Sequence, residues 1–226
     1  MPSSRFQFRA LAQLLRLPNL FTAAADPLAG WLIVGGVWTT ELVPLLGASV
    51  CLYASGVVFN DSFDFKTDSR ERPERPLPSG AFTRAFAWTL AGALMLAGVA
   101  LAWLNGTAAL HKALIIAALV LVYNAARKMP GVMGACRAFN LMLGMTGNAA
   151  LWPPIVLGAY VTAVTVVARR ETENAAVRRW VKRLLLGIIA LDAALVVIAT
   201  GDWLGALGVL ALLAPAIFLA RSLEMT

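Results

Sequence analysis

The stretch Asn60-Asp61-Ser62-Phe63-Asp64-Phe65-Lys66-Thr67-Asp68 closes a long apolar run that begins at Leu42. Asn60, Asp64 and Asp68 stand four residues apart, so in a helical segment all three project from one face. Carboxylates at the end of an apolar helix are costly unless something compensates them, and a divalent cation does so well. Hard oxygen donors of this kind suit Mg²⁺, which keeps most of its waters and shares its remaining coordination with substrate phosphates. The stretch therefore points to a metal–phosphate site at a membrane surface.

The rest of the chain agrees with a membrane setting. Of 226 residues 60% are apolar and only 14% charged, and the mean hydropathy is +0.75, far above a soluble domain. The charges fall in clusters separated by uncharged runs at 42–60, 85–110, 138–168 and 203–220, the pattern of a polytopic helical protein. Sustained period-2 alternation with regular turns is lacking, which argues against a transmembrane barrel. Residues 1–226 read as one bundle. Cys51 and Cys136 lie in apolar surroundings without CxxC spacing and read as small core residues. The run after the N-terminus is too short before Asp26 for a signal-peptide core and reads as mature protein.

Eight membrane helices are expected, at 11–38, 41–60, 84–105, 110–126, 133–151, 154–169, 177–200 and 203–221. The break after the fifth falls at Trp152-Pro153-Pro154, since proline cannot continue a helix ladder. With both termini on one side, that side carries eighteen of the nineteen lysines and arginines, Arg137 among them, and the other carries Lys112 alone. The positive-inside rule then places both termini and the acidic stretch in the cytoplasm. The formal net charge of +7 reads as orientation signal and contact with anionic headgroups. Nucleic-acid binding is disfavoured, because the basic residues are scattered through short loops.

Downstream of the acidic stretch come Ser69-Arg70-Glu71-Arg72-Pro73-Glu74-Arg75-Pro76-Leu77-Pro78-Ser79-Gly80. Guanidinium groups beside an oxygen-rich site offer the bidentate hydrogen bonds and charge that a diphosphate needs. The prolines and Gly80 stiffen and turn the connection to the next helix.

Asn60-Asp61-x-x-Asp64-x-x-x-Asp68 followed by Arg75-Pro76-Leu77-Pro78-Ser79-Gly80 resembles the first signature of the UbiA superfamily of intramembrane prenyltransferases. Tyr123-x-x-x-x-Lys128-x-Pro130-x-x-x-Gly134-x-x-Arg137-x-x-Asn140 resembles that family's segment between its fourth and fifth helices. Arg16-Leu17-Pro18-Asn19 and Asp26-Pro27-Leu28-Ala29-Gly30 resemble its start. The resemblance spans about residues 10–170, and within the superfamily the chain is most similar to the UbiA-like proteins of the ebo gene cluster. It implies an all-helical bundle around a central cavity in a bacterial inner membrane, capped by cytoplasmic loops. It also implies Mg²⁺-assisted ionisation of a polyprenyl diphosphate and capture of the prenyl group by an aromatic or small polar acceptor. Asn60, Asp64 and Asp68 would hold the metal, with Lys128 joining Asp64 and Asp68 in the chemistry. Arg72, Arg75, Arg137, Tyr123 and Asn19 would line the substrate.

One departure stands out. The family's second aspartate-rich motif, near the end of its sixth helix, corresponds here to Val164-Thr165-Val166-Val167-Ala168-Arg169-Arg170-Glu171-Thr172-Glu173-Asn174. Its upstream aspartate falls near Val164, leaving Glu171 and Glu173 as the candidate ligands for a second metal. Two apart, they cannot share a helix face, although a loop can converge them. The neighbouring arginines read as ordinary loop charge. The family's usual ninth helix has no counterpart among the eight. A relative that binds, positions or translocates an isoprenoid lipid without turnover is the competing expectation. A transporter is disfavoured, since its site belongs near the bilayer midplane.

Asp26 and Asp192 are acidic residues within apolar spans and so are functional candidates by default. Asn140 and Asn148 read as interhelical hydrogen-bonders. His111 reads as interfacial, and Trp38, Trp103, Trp152 and Trp203 as an interfacial belt.

Overall fold

The apolar runs fold into helices wherever they are long enough. The computed structural model describes residues 4–126, 128–145, 150–169 and 175–223, and among them the regular structure is helical throughout. Glu171 and Glu173, the candidate second-metal ligands, lie outside the described residues, as do Asn148, Arg127 and Arg170.

In chain order the helices are α1 (Ser4–Leu14), α2 (Leu17–Ile33), α3 (Leu42–Phe63), α4 (Phe65–Glu71), α5 (Arg84–Trp103) and α6 (Thr107–Ala125). They continue with α7 (Pro130–Gly144), α8 (Trp152–Ala168), α9 (Ala175–Thr200), α10 (Trp203–Ala211) and α11 (Leu213–Ser222). Among the described residues five stretches are long and apolar enough to cross a membrane: α3, α5, α6, most of α9, and α10 with α11 taken together. The shorter apolar helices α2, α7 and α8 complete the bundle.

Two of the expected spans are broken. The first divides at Arg16, whose backbone is left-handed (φ 48°), and α2 restarts with Pro18 in its first turn. Proline lacks the N–H that a helix interior needs but fits its opening turn. The last divides at Leu212, with Pro215 in the first turn of α11. α8 begins at Trp152-Pro153-Pro154 for the same reason. At the start of α5 the Thr83 hydroxyl accepts from the Phe86 N–H at 3.1 Å, a helix cap. Thr83→Ala is expected to lower stability by about 1 kcal/mol, measurable by chemical unfolding in mixed micelles.

Helices α2, α3, α6, α7, α8 and α9 surround a central cavity, and residues of all six line it. Helix α5 covers α3 and α6 from outside, while α10 and α11 cover α2 and α9. Backbones approach closely where glycines allow it. A Cβ on Gly144 would collide with the Pro27 carbonyl and the Trp31 amide, and one on Gly30 with the Leu141 carbonyl, so α2 and α7 touch main chain to main chain. The outer surface is apolar: Leu96, Leu204 and Phe218 are each more than 70% exposed. Trp38, Trp103, Trp152 and Trp203 are likewise exposed, at or near helix ends.

Candidate functional site

The acidic stretch is helical, but not as one helix. α3 ends at Phe63, Asp64 caps it, and α4 starts at Phe65. The bend keeps the four-residue ladder: Asp64 N–H donates to the Asn60 carbonyl, Asp68 N–H to Asp64 and Arg72 N–H to Asp68, at 2.9, 2.9 and 2.8 Å. Asn60, Asp64 and Asp68 therefore all line the cavity mouth, with Arg72 one further step along.

Cations converge on these acids from distant parts of the chain. The Lys128 ammonium meets Asp64 Oδ2, which also accepts from Asn60 Nδ2 at 3.2 Å. Arg75 Nη1 donates to Asp68 Oδ2 at 2.8 Å and lies 3.7 Å from Asp61 Oδ1. The latter oxygen also accepts from Arg16 Nη2 at 3.2 Å. Burial opposes the Arg16 charge, but the Asp61 carboxylate beside it raises its pKa above the ordinary arginine value. Asp61 and Arg16 thus tie α2 to α3 below the mouth. Their pairing could not be read from spacing, because Asp61 points away from the Asn60–Asp64–Asp68 face.

Arg16 and Lys128 are also the non-glycine residues with positive φ among the described residues, at 48° and 49°, a conformation that costs non-glycine residues energy. At Lys128 the backbone is held in place: Arg169 Nη2, just past α8, donates to its carbonyl at 2.9 Å. Arg169, expected to be ordinary loop charge, is a strut of the site. The connection between α4 and α5 is equally braced. Leu77 is buried in the core, Ser79 N–H bonds to the Arg75 carbonyl at 2.9 Å, and Gly80 takes a φ of 78° that favours glycine.

Deeper in the bundle lies a second polar cluster. Pro27 cannot donate to the Ala23 carbonyl four residues earlier, and that carbonyl instead accepts from Ser49 Oγ at 2.7 Å and Asn140 Nδ2 at 2.9 Å. Asp26 is wholly buried and takes Arg137 Nη2 on one oxygen at 2.8 Å and Asn140 Nδ2 on the other at 2.7 Å. Arg137 Nη2 also reaches the Thr22 carbonyl at 2.7 Å. Counted above with the loop charges, Arg137 is instead an interior residue of α7, only 4% exposed. A charge survives there because a buried partner neutralises it.

The cavity has a volume of about 970 Å³. Its lining includes every candidate site residue that is described: Asn19, Asn60, Asp64, Asp68, Arg72, Arg75, Tyr123, Lys128 and Arg137. Where the family's second acidic motif would begin, α8 presents Val164, Thr165 and Ala168 to the cavity. The oxygen donors fit a hard divalent cation. Asp64 and Asp68 accept their hydrogen bonds through Oδ2, leaving each Oδ1 without a donor among the described residues. Among those residues no three His, Cys, Asp or Glu side chains cluster to enclose a metal. Such an open set suits Mg²⁺, which completes its shell with water and substrate oxygens.

Fold and site together define an intramembrane helical bundle with an acid–base rim at the mouth of a central cavity. The chain belongs to the UbiA prenyltransferase family, whose profile matches residues 19–225; it is a multi-pass membrane protein. It is similar to a digeranylgeranylglyceryl phosphate synthase of Methanoculleus marisnigri, at 34% identity over 55% of this chain and 45% of that protein. A synthase of the same name from Methanoregula boonei is 30% identical over 73% of this chain and 60% of its own. The chain spans about half the length of these curated relatives. Among solved structures, a UbiA homologue from Archaeoglobus fulgidus bound to GPP and Mg²⁺ superposes with a TM-score of 0.65 at 13% identity, covering 92% of this chain and 85% of that one. A structure from work on digeranylgeranylglyceryl phosphate synthase superposes at 0.64 with 17% identity, over 94% and 95%. These likenesses are of fold.

Proposed function

We propose that this protein is a Mg²⁺-dependent prenyltransferase that moves a polyprenyl group from its diphosphate to an acceptor inside the membrane. One observation carries the reading: two aspartates, each paired with a cation, rim a cavity whose walls are largely apolar. Asn60, Asp64 and Asp68 are the residues that would hold Mg²⁺. When bound, the ion neutralises the diphosphate and eases its departure. Lys128, Arg72 and Arg75 take the remaining negative charge, which grows on the leaving group as the C1–O bond breaks. The electron pair leaves with the diphosphate, the allylic cation is captured by the acceptor, and the acceptor's proton is released. Walls such as Ile116, Val161 and Ile188 house the isoprenoid and keep water from the cation. The charged rim faces the cytoplasm, in keeping with the distribution of lysine and arginine.

A second reading has its own support. The cavity face of α8 lacks a carboxylate among the described residues, and a single acidic motif is enough to bind a diphosphate without ionising it. Protein in lipid discs, given labelled prenyl diphosphates with Mg²⁺ or EDTA, separates the two. Mg²⁺-dependent release of diphosphate establishes the transferase. Tight Mg²⁺-dependent binding with no release across a panel of acceptors establishes the binder, and no binding at all overturns both.

The strut offers a narrower check. Arg169→Gln is expected to weaken prenyl diphosphate binding about tenfold, equivalent to about 1.4 kcal/mol, with unfolding unchanged. Arg169→Lys should recover part of the loss. An unaltered Kd would show that Lys128 holds its place unaided.

A further inference from the structure

The cavity is a well of limited depth. Each of the six helices around it touches the next, from α2 through α3, α6, α7, α8 and α9 back to α2. Among the described residues the ring is continuous, and the charged rim is its mouth. The wall is polar on α2, α3 and α7, at Thr22, Ser49, Arg137 and Asn140, and mainly apolar on the other three helices. Ser49 and Asn140 both donate to the Ala23 carbonyl, and Thr22 Oγ1 donates to the Asn19 carbonyl at 2.8 Å. The polar groups therefore serve the protein's own helices and leave the apolar wall to the isoprenoid.

That wall is short. It runs from Tyr123 to Ile116 on α6, from Ala168 to Val161 on α8 and from Val181 to Ile188 on α9. Each stretch rises about 10 Å along its helix. On α3 the lining goes deepest, from Asn60 to Ser49, a rise of about 16 Å. Within the next two turns the bundle is packed. Leu141, Leu157 and Leu195 form one buried cluster with Val161 and Ile188, and Leu45 and Ala113 belong to the cluster that holds Ile116. Asp26, bonded to Arg137 and Asn140, joins α2 to α7 below Thr22. These floor residues do not line the cavity.

An extended isoprene unit is four carbon–carbon bonds long, about 5 Å at ordinary bond lengths. We infer that the site selects donors of about three isoprene units or fewer, and that Val161 on α8 and Ile188 on α9 set the limit. The inference rests on the prenyl-transfer reading for the identity of the ligand. A fourth unit has no apolar surface left to cover, since the floor is packed, the facing wall is polar and the mouth is charged. Forcing the floor open strains a close-packed core, and laying hydrocarbon across the rim desolvates its charges.

The test measures binding to the full chain in lipid discs with Mg²⁺. The probes are geranyl, farnesyl and geranylgeranyl S-thiolodiphosphates, which resist ionisation. Affinities are expressed per mole fraction of probe in the disc. The tail then passes from one apolar medium to another, so differences report fit. Geranyl and farnesyl probes are expected to bind within about threefold of each other, and geranylgeranyl about tenfold more weakly or worse. Ile188→Ala shortens a side chain at the floor and should bring geranylgeranyl to within about threefold of farnesyl. Val161→Phe fills the bottom of the well and should weaken farnesyl about tenfold while moving geranyl by less than about threefold. The two variants push in opposite directions, and either serves if the other fails to fold. Geranylgeranyl bound as tightly as farnesyl by the unaltered chain would overturn the inference and leave the transferase reading standing. So would unmoved selectivity in a folded variant of either kind. Binding of none of the three probes would overturn both readings.

Discussion

Asp64→Ala is expected to reduce Mg²⁺-dependent release of diphosphate by about a thousandfold or more, and Asp68→Ala to do nearly as much. Each substitution removes a candidate metal ligand and also strands a cation, Lys128 in the first case and Arg75 in the second. A loss of about 4 kcal/mol in transition-state stabilisation corresponds to a thousandfold in rate. Asp61→Asn is the informative control. It lies in the same sequence motif, yet its carboxylate faces Arg16 and Arg75 on the supporting side. It should lose stability and retain at least a tenth of the rate. Single-turnover release from labelled prenyl diphosphate in lipid discs decides the matter. An Asp64→Ala variant that keeps more than a tenth of the activity would remove Asp64 from the chemistry.

Gly144→Val is expected to destabilise the bundle by about 3 kcal/mol, with loss of the cavity's polar wall. The new side chain would occupy the space of the Pro27 carbonyl and the Trp31 amide, and main-chain atoms have no rotamer by which to yield. Overpacking of this kind typically costs about 1–3 kcal/mol, and more where backbone must move. Helices α2 and α7 would separate at the contact that also positions Asp26 against Arg137 and Asn140. Gly92→Ala is the matched control. Nothing lies within 4 Å of a Cβ there, and alanine in a helix interior is favoured over glycine. Unfolding by denaturant in mixed micelles should therefore show a lowered midpoint for the first and an equal or raised one for the second.

Much of the fold was legible in the residues. The uncharged runs located the eight expected helical regions, and the prolines at 153 and 154 located a break correctly. Pro18 and Pro215 mark two further breaks that the apolar pattern hid, because the apolar run continues through each turn without a polar interruption long enough to mark it. The rim was legible for a local reason. A four-residue repeat survives the bend at Asp64 because each N–H still bonds four residues back.

The partners were not legible, since they come from far along the chain. Arg16 and Asp61 are 45 residues apart, Lys128 and Arg169 are 41, and Asp26 and Arg137 are 111. A positive-inside count cannot tell a loop arginine from one drawn into the interior, and Arg137 was placed accordingly. The signal that could have found it was Asp26-Pro27: an acid inside a span beside a proline that frees a carbonyl calls for a donor from another helix.

The sequence by itself determined a membrane-spanning helical bundle with an oxygen-rich rim, because burial in lipid and helical register both act between near neighbours. The tertiary structure alone decided that Asp61 supports rather than lines the rim, and that Arg169 holds Lys128. It alone separated the cavity into a polar and an apolar wall. Those outcomes depend on which buried charge finds which partner, and only packed helices settle that.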